Sequence, residues 1–224
     1  MPDITIHSVI GSPYGRATLI TLEEKGVPYQ LVPLAPGASK QQPYLGLHPF
    51  GRVPVLDHDG FILYETQAIL RYVDRWFPGP PLSPPSPQAL ARMDQLLNIC
   101  DWYMMQGVNN VIAFQRIVAP RFLGREPDEA VIAAAMPKAR LVLGELERFL
   151  GREAFLADGR FSLADILCGA HIDFLARTPE WGTLASEFPS LAAWLERLRL
   201  RHSFNATTEE RLVGRQPEAA AAIV

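Results

Sequence analysis

The segment Pro78-Gly79-Pro80-Pro81-Leu82-Ser83-Pro84-Pro85-Ser86-Pro87 constrains this chain most, because proline fixes φ and removes a backbone donor. Such a run can neither continue a helix nor enter the middle of a sheet, so it divides the chain. Residues 1–80 alternate short apolar runs with one-faced helical patterns. Residues 81–87 read as a linker, and residues 88–224 read as helical throughout. The length of 224 residues is enough for two modest cores.

In the first part, Ile4, Ile6, Ser8 and Ile10 alternate with Thr5, His7 and Val9, which predicts a strand. Ser12 then precedes Ala17, Leu19, Ile20, Leu22 and Gly26, the pattern of a helix closed by a C-terminal glycine. Residues 29–34, 55–57 and 61–63 read as further strands, the last two joined by an Asp59-Gly60 turn. From Thr66, residues Ala68, Ile69, Tyr72, Val73, Trp76 and Phe77 recur at helical spacing. The order β-α-β, β-β-α makes one α/β unit.

Beyond the linker, a long helical pattern from Gln88 to Val118 is expected to stop before Pro120. A second runs from about Asp128 to Leu150, with a kink or break expected at Pro137. Ser162 and Asp165 form a capping box for a third. Pro189-Ser190 opens a fourth, which carries Leu191, Trp194, Leu195 and Leu198 on one face. The tail from Ala219 to Val224 is low in complexity and is expected to fray.

A net charge of −3 gives no reason to expect a nucleic acid or an acidic membrane surface as partner. No apolar stretch approaches the roughly 20 residues that span a bilayer, and Met1-Pro2-Asp3 does not open a signal peptide. A cytoplasmic protein is expected. Cys100 and Cys168 are far apart in sequence and read as buried structural thiols. The histidines lack ligand spacing, so no metal site is expected.

Chemistry gathers in the first part. Val53-Pro54 leads into an apolar strand, and a Val-Pro bond in a tight turn is a candidate cis peptide. Such a turn holds the Val53 N–H and C=O outward, free to pair with an extended peptide as a strand would. Ser12 stands where the first strand hands over to the first helix, close to the positive end of its dipole. It reads either as an ordinary N-cap with Pro13 at N1 or as a donor to a bound anion. Glu65-Thr66 opens the next helix and reads either as a cap or as an anion subsite.

Taken with Ser12-Pro13-Tyr14-Gly15-Arg16-Ala17 and the run Leu22-Glu23-Glu24-Lys25-Gly26, these pieces resemble the glutathione transferase superfamily. The serine followed by Arg16-Ala17 matches its serine-type theta and phi classes. The Pro13 and Gly15 positions also match a bacterial, nu-like branch that reduces disulfides. The resemblance implies a thioredoxin-like N-terminal domain followed by an all-helical C-terminal domain. It implies that glutathione is the co-substrate, that no metal is used, and that the chain forms a homodimer.

By the same resemblance, Ser12 is the catalytic residue that donates to the glutathione thiolate. Lys40, Arg52, Val53, Pro54, Glu65 and Thr66 form the glutathione-binding set, with Thr66 standing where serine is usual. Lys40 and Arg52 are surface cations on their own merits, and His48, which replaces a usual asparagine, reads as structural. Phe50 matches an aromatic that inserts into the partner subunit in some classes, and equally suits packing in its own loop. Tyr14, Tyr103 and Phe114 are the candidate second-substrate surface, on a stripe that also suits a core. The implied activity is conjugation of glutathione to a small hydrophobic electrophile in detoxification. A glutathione-dependent disulfide or peroxide reductase and a non-catalytic binding module remain the alternatives.

Overall fold

The structure is a computed structural model, and it describes residues 4–215. In chain order it comprises β1 (Ile4–Ser8), α1 (Pro13–Lys25), β2 (Gln30–Pro33), β3 (Val55–His58), β4 (Phe61–Tyr64) and α2 (Thr66–Trp76). There follow α3 (Pro87–Ile99), a π-helical stretch (Cys100–Val118), α4 (Ala119–Leu123), α5 (Glu129–Leu150) and α6 (Leu163–Leu175). The chain continues through α7 (Glu180–Glu187), α8 (Pro189–Arg199), α9 (His202–Ala206) and α10 (Glu209–Gly214). Two compact units result. Among the described residues, one takes in 4–81 and 200–215; the other is Leu82–Arg199.

In the first unit the strand order is β2-β1-β3-β4. β1 runs parallel to β2 and antiparallel to β3, with Ile6 opposite Leu31 on one side and Leu56 on the other. β3 and β4 form a hairpin pairing Val55 with Tyr64. The alternation predicted for β1 is real: Ile4, Ile6 and Ser8 are buried while Thr5 and His7 are half-buried. α1 begins where Ser12 accepts a hydrogen bond from Gly15 N–H, and ends at Gly26, whose φ of 65° lets its N–H reach Glu23 and Leu22 carbonyls. Ile4, Ile6, Leu19, Leu22, Leu56, Ile69 and Val73 form one core. Leu212 of α10 belongs to the same core, so the last described helix is an integral part of this unit.

The second unit is entirely helical. α6 is its axis, with Leu163 to Ile172 buried continuously and both capping-box hydrogen bonds made. A helix apolar on every side must lie inside a bundle. α8 buries Leu191, Trp194, Leu195 and Leu198, the face expected from the sequence. Full burial of each such side chain stabilises the fold by roughly 1.5–3 kcal/mol before entropy is counted.

Several expectations are corrected. The helical path does not stop before Pro120: Pro120 lies in the first turn of α4, where a missing N–H costs nothing. Pro137 does not break its helix, and α5 runs unbroken from Glu129 to Leu150. The π-helical stretch and α7, α9 and α10 carry no clear sequence signal. Cys100 and Cys168, distant in sequence, are both free and fully buried. They lie within hydrogen-bonding reach of each other, and burial together with that contact raises the Cys100 thiol well above its usual ionisation range. The fraying expected at Ala219–Val224 and the reading of Met1–Asp3 lie outside the described residues.

Candidate active site

The first unit offers a helix start, a shaped loop and a second helix start. At the first, Gly15 has no room for a side chain, since a Cβ there would stand 2.0 Å from Ser8 Oγ. This close approach seats α1 on β1 and fixes Ser12 at the strand-to-helix turn. Ser12 Oγ accepts from Gly15 N–H at 3.2 Å. An accepting hydroxyl keeps its own hydrogen to donate elsewhere.

The loop between β2 and β3 carries short 3₁₀ turns at Ala38–Lys40 and Tyr44–Gly46. The Tyr44 hydroxyl donates to Arg52 O at 2.6 Å, and Lys40 Nζ donates to Phe50 O at 3.1 Å. Burial pushes the Tyr44 phenol up to about 12, so it remains a donor. Gly51 has φ 58°, and a Cβ there would lie 2.6 Å from Ser39 O. The Val53–Pro54 bond is cis, as is Gln42–Pro43. Pro54 is buried, Val53 half-buried, and Lys40 and Arg52 exposed.

His48 lies beneath this loop at 1% exposure, stacked on Tyr64 with ring centroids 4.6 Å apart. Phe50, 66% exposed, meets both rings edge-on at 6.1 and 6.3 Å. Burial lowers the His48 pKa; Glu65 opposes that shift, and Lys40 and Arg52 reinforce it. The imidazole therefore senses Glu65, Lys40 and Arg52 together. Sequence reasoning read His48 only as structural and missed its place among these charges. A histidine in the loop ahead of β3 gives no sign in the sequence of what the fold will bring beside it.

Glu65 precedes α2 with φ 70° and ψ 110°, a conformation costly for a residue with a Cβ. Its side chain makes no cap hydrogen bond and is exposed, while Thr66 is buried to 7% exposure. The cap reading, with Thr66 capping and Glu65 solvated, holds for the exposed Glu65 but not for Thr66, which is the first helical residue rather than the cap. What stands at Glu65 is an exposed carboxylate beside the start of a helix, whose N-terminus carries partial positive charge. Lys40 and Arg52 supply positive charge, and Glu65 negative charge, in the same unit.

Of the second-substrate candidates, Tyr14 is half-buried on α1. Tyr103 is 54% exposed and Phe114 half-buried on the π-helical stretch of the other unit. No group of three or more His, Cys, Asp or Glu residues suited to a metal occurs among the described residues. None of the described helices is long and apolar enough to cross a membrane.

A serine hydroxyl at a helix start, on a β-α-β, β-β-α sheet with a cis-proline turn, defines a thioredoxin-like protein, here joined to a helical unit. Residues 6–81 match the family profile of the glutathione S-transferase N-terminal domain, and residues 98–201 match that of its C-terminal domain. Glutathione S-transferase 4 of Zea mays is 31% identical over 215 residues, covering 95% of each chain. Glutathione transferase F7 from Populus trichocarpa superposes with a TM-score of 0.84 at 28% identity, over 93% of this chain and 99% of that one. A theta-class enzyme from Xanthomonas axonopodis pv. citri, crystallised with glutathione bound, does so with a TM-score of 0.81 at 28% identity, over 93% and 98%. The chain belongs to the glutathione S-transferase family and is a glutathione transferase.

Proposed function

We propose that this glutathione transferase conjugates glutathione to small hydrophobic electrophiles, with Ser12 as the catalytic residue. The observation that carries this reading is Ser12 itself, whose Oγ accepts from Gly15 N–H and so keeps its hydrogen for a ligand at the start of α1. A free thiol ionises near 8.5, and a hydroxyl donor beside a helix N-terminus favours the thiolate. Ser12 donates and the sulfur attacks; no covalent bond to the protein is needed. Lys40 and Arg52 take the glycyl carboxylate. The Val53 backbone pairs with the cysteinyl segment in the turn shaped by Pro54. Thr66 and the first amides of α2 take the γ-glutamyl carboxylate, and Glu65 takes the ammonium.

Tyr14 of the first unit and Tyr103 and Phe114 of the second are the residues proposed for the electrophile, and holding an electrophile beside the thiolate lowers the barrier by proximity. Residues 1–80 supply the glutathione-binding domain and residues 88–224 the helical part of the chain, of which the segment from Leu200 through α10 packs with the first unit. The protein works as a cytoplasmic homodimer in detoxification, without a metal, and the exposed ring of Phe50 supports a role at the dimer interface.

The test is steady-state conjugation of a halo-nitrobenzene, run beside glutathione-dependent reduction of a small disulfide. Dominant conjugation is expected. Dominant exchange would replace this reading with a reductase in which two glutathiones supply the sulfurs, since no cysteine stands at Ser12. Tight glutathione binding with neither activity would leave a binding module.

A further inference from the structure

The turn that presents Ser12 is covered from an unexpected direction. Gly11 has φ 94°, and a carboxylate packs against the place where its Cβ would stand. Glu209 Oε2 is 3.1 Å from that position, Cδ 3.4 Å and Oε1 3.7 Å. Glu209 Oε2 is shut off from solvent. The residue opens α10, beyond the stretch that matches the family's C-terminal domain.

The carboxylate is held there by a well-anchored segment. Leu212, one turn on, is 4% exposed in the core of the first unit. Arg16 Nη2 donates to Phe204 O at 3.1 Å, and its guanidinium lies 5.7 Å from the centre of the Phe204 ring. Glu24 at the other end of α1 accepts from Arg201 at 2.7 and 2.8 Å and from the Ser203 hydroxyl at 2.5 Å. An acidic residue in the first turn of a helix is common, because the dipole favours it. The dipole of α10 does not explain why the carboxylate packs so closely against Gly11.

We propose that Glu209 is a positioning residue for the sulfur end of the active site, fixing the Gly11–Ser12 turn by contact and restraining thiol ionisation by its negative charge. The inference rests on the reading of Ser12 above. A carboxylate near a developing thiolate disfavours it, against the favourable dipole of α1 and the Ser12 hydroxyl. The other charged group on α1 at this corner is Arg16, whose positive charge opposes that of Glu209. Tyr14 follows Ser12 on α1, and Glu210 stands next to Glu209 but is exposed. Removing the Glu209 charge leaves Arg16 in place, so both effects move ionisation the same way.

The experiment compares wild type with Glu209→Gln, Glu209→Asp and Glu210→Gln, reading the ultraviolet absorbance of bound glutathione thiolate against pH and the pH profile of kcat/KM. Glu209→Gln, neutral and of equal size, is expected to move the acid limb down by about half a pH unit, the order expected for one partly screened charge. Its KM for glutathione should change less than twofold. Glu209→Asp keeps the charge and should leave the limb in place while lowering kcat through a looser turn. An unmoved limb in Glu209→Gln, or an equal shift in Glu210→Gln, overturns the proposal while the Ser12 reading stands. Glutathione bound only as thiol in the wild type overturns both. If Glu209→Gln fails to fold, a Glu209→Asp variant with wild-type kcat and limb overturns the positioning role.

Discussion

The indole N–H of Trp194 on α8 donates to Asp165 Oδ1 on α6 at 2.9 Å, with both residues fully buried. The same carboxylate accepts from Leu156 N–H at 2.9 Å and from the Ser162 N–H and hydroxyl at 3.0 Å each. One side chain thus caps α6, ties down the loop before it and anchors α8. Removing it strands several buried donors, and each unsatisfied group costs about 1–3 kcal/mol. Asp165→Ala should destabilise the protein by about 3 kcal/mol or more in urea unfolding, well beyond an ordinary cap loss of about 1 kcal/mol. A loss no larger than that would mean the hub relaxes around the gap.

Two buried groups of the second unit should oppose each other in acid. Burial raises Asp165 to about 6 despite its donors, so its native form takes up a proton more readily than the unfolded chain. Its contribution is fully present below about 3.8 and is lost as pH rises through about 6. His171 is lowered to about 4 by burial, so its contribution is present above about 6.5 and lost as pH falls through about 4. Between these values the slopes cancel in part. His171→Gln should gain stability on acidification relative to wild type, and Asp165→Asn should lose it more steeply. Unfolding curves across this range check both signs.

Ser12→Ala removes the proposed donor to sulfur but leaves the peptide subsites. Turnover should fall about a hundredfold, in line with loss of one preorganised donor, while the calorimetric Kd for glutathione stays within about threefold. Unchanged turnover would take Ser12 out of the mechanism.

Thr66→Ala should act the other way. A hydrogen bond to a charged ligand group contributes about 1.5–3 kcal/mol, so glutathione should bind about tenfold more weakly with little change in kcat. Equal affinity by calorimetry would assign the buried hydroxyl to the fold alone.

Gly51→Ala places a side chain where φ is 58° and Ser39 O is only 2.6 Å from the new Cβ. The backbone must shift beneath Lys40 and Phe50, in addition to about 1 kcal/mol or more of strain. A melting temperature lower by a few degrees is expected, with a raised KM for glutathione. An unchanged KM would detach this loop from the site.

The sequence by itself determined the strands and main helices, the division at the prolines, and the positions of Ser12, Val53-Pro54 and Glu65-Thr66, while the cis state of Pro54 came from the structure. These are local matters: a capping serine, a C-terminal glycine and alternating apolar residues act over a few neighbours, so Ser12, Gly26 and the Ser162–Asp165 box are legible without tertiary information. Only tertiary structure decided that α10 packs into the first core, that Cys100 meets Cys168, and that His48 lies among Lys40, Arg52 and Glu65. It also decided that Pro120 lies in the first turn of α4 and that α5 runs through Pro137, where the packing of the rest of the helix outweighs the lost interior hydrogen bond. Glu209 over Gly11 is the extreme case. The two lie 198 positions apart in the chain, and no periodicity or propensity joins them. A contact of that kind is set by how whole elements pack, where burial of Leu212 brings the carboxylate to the turn.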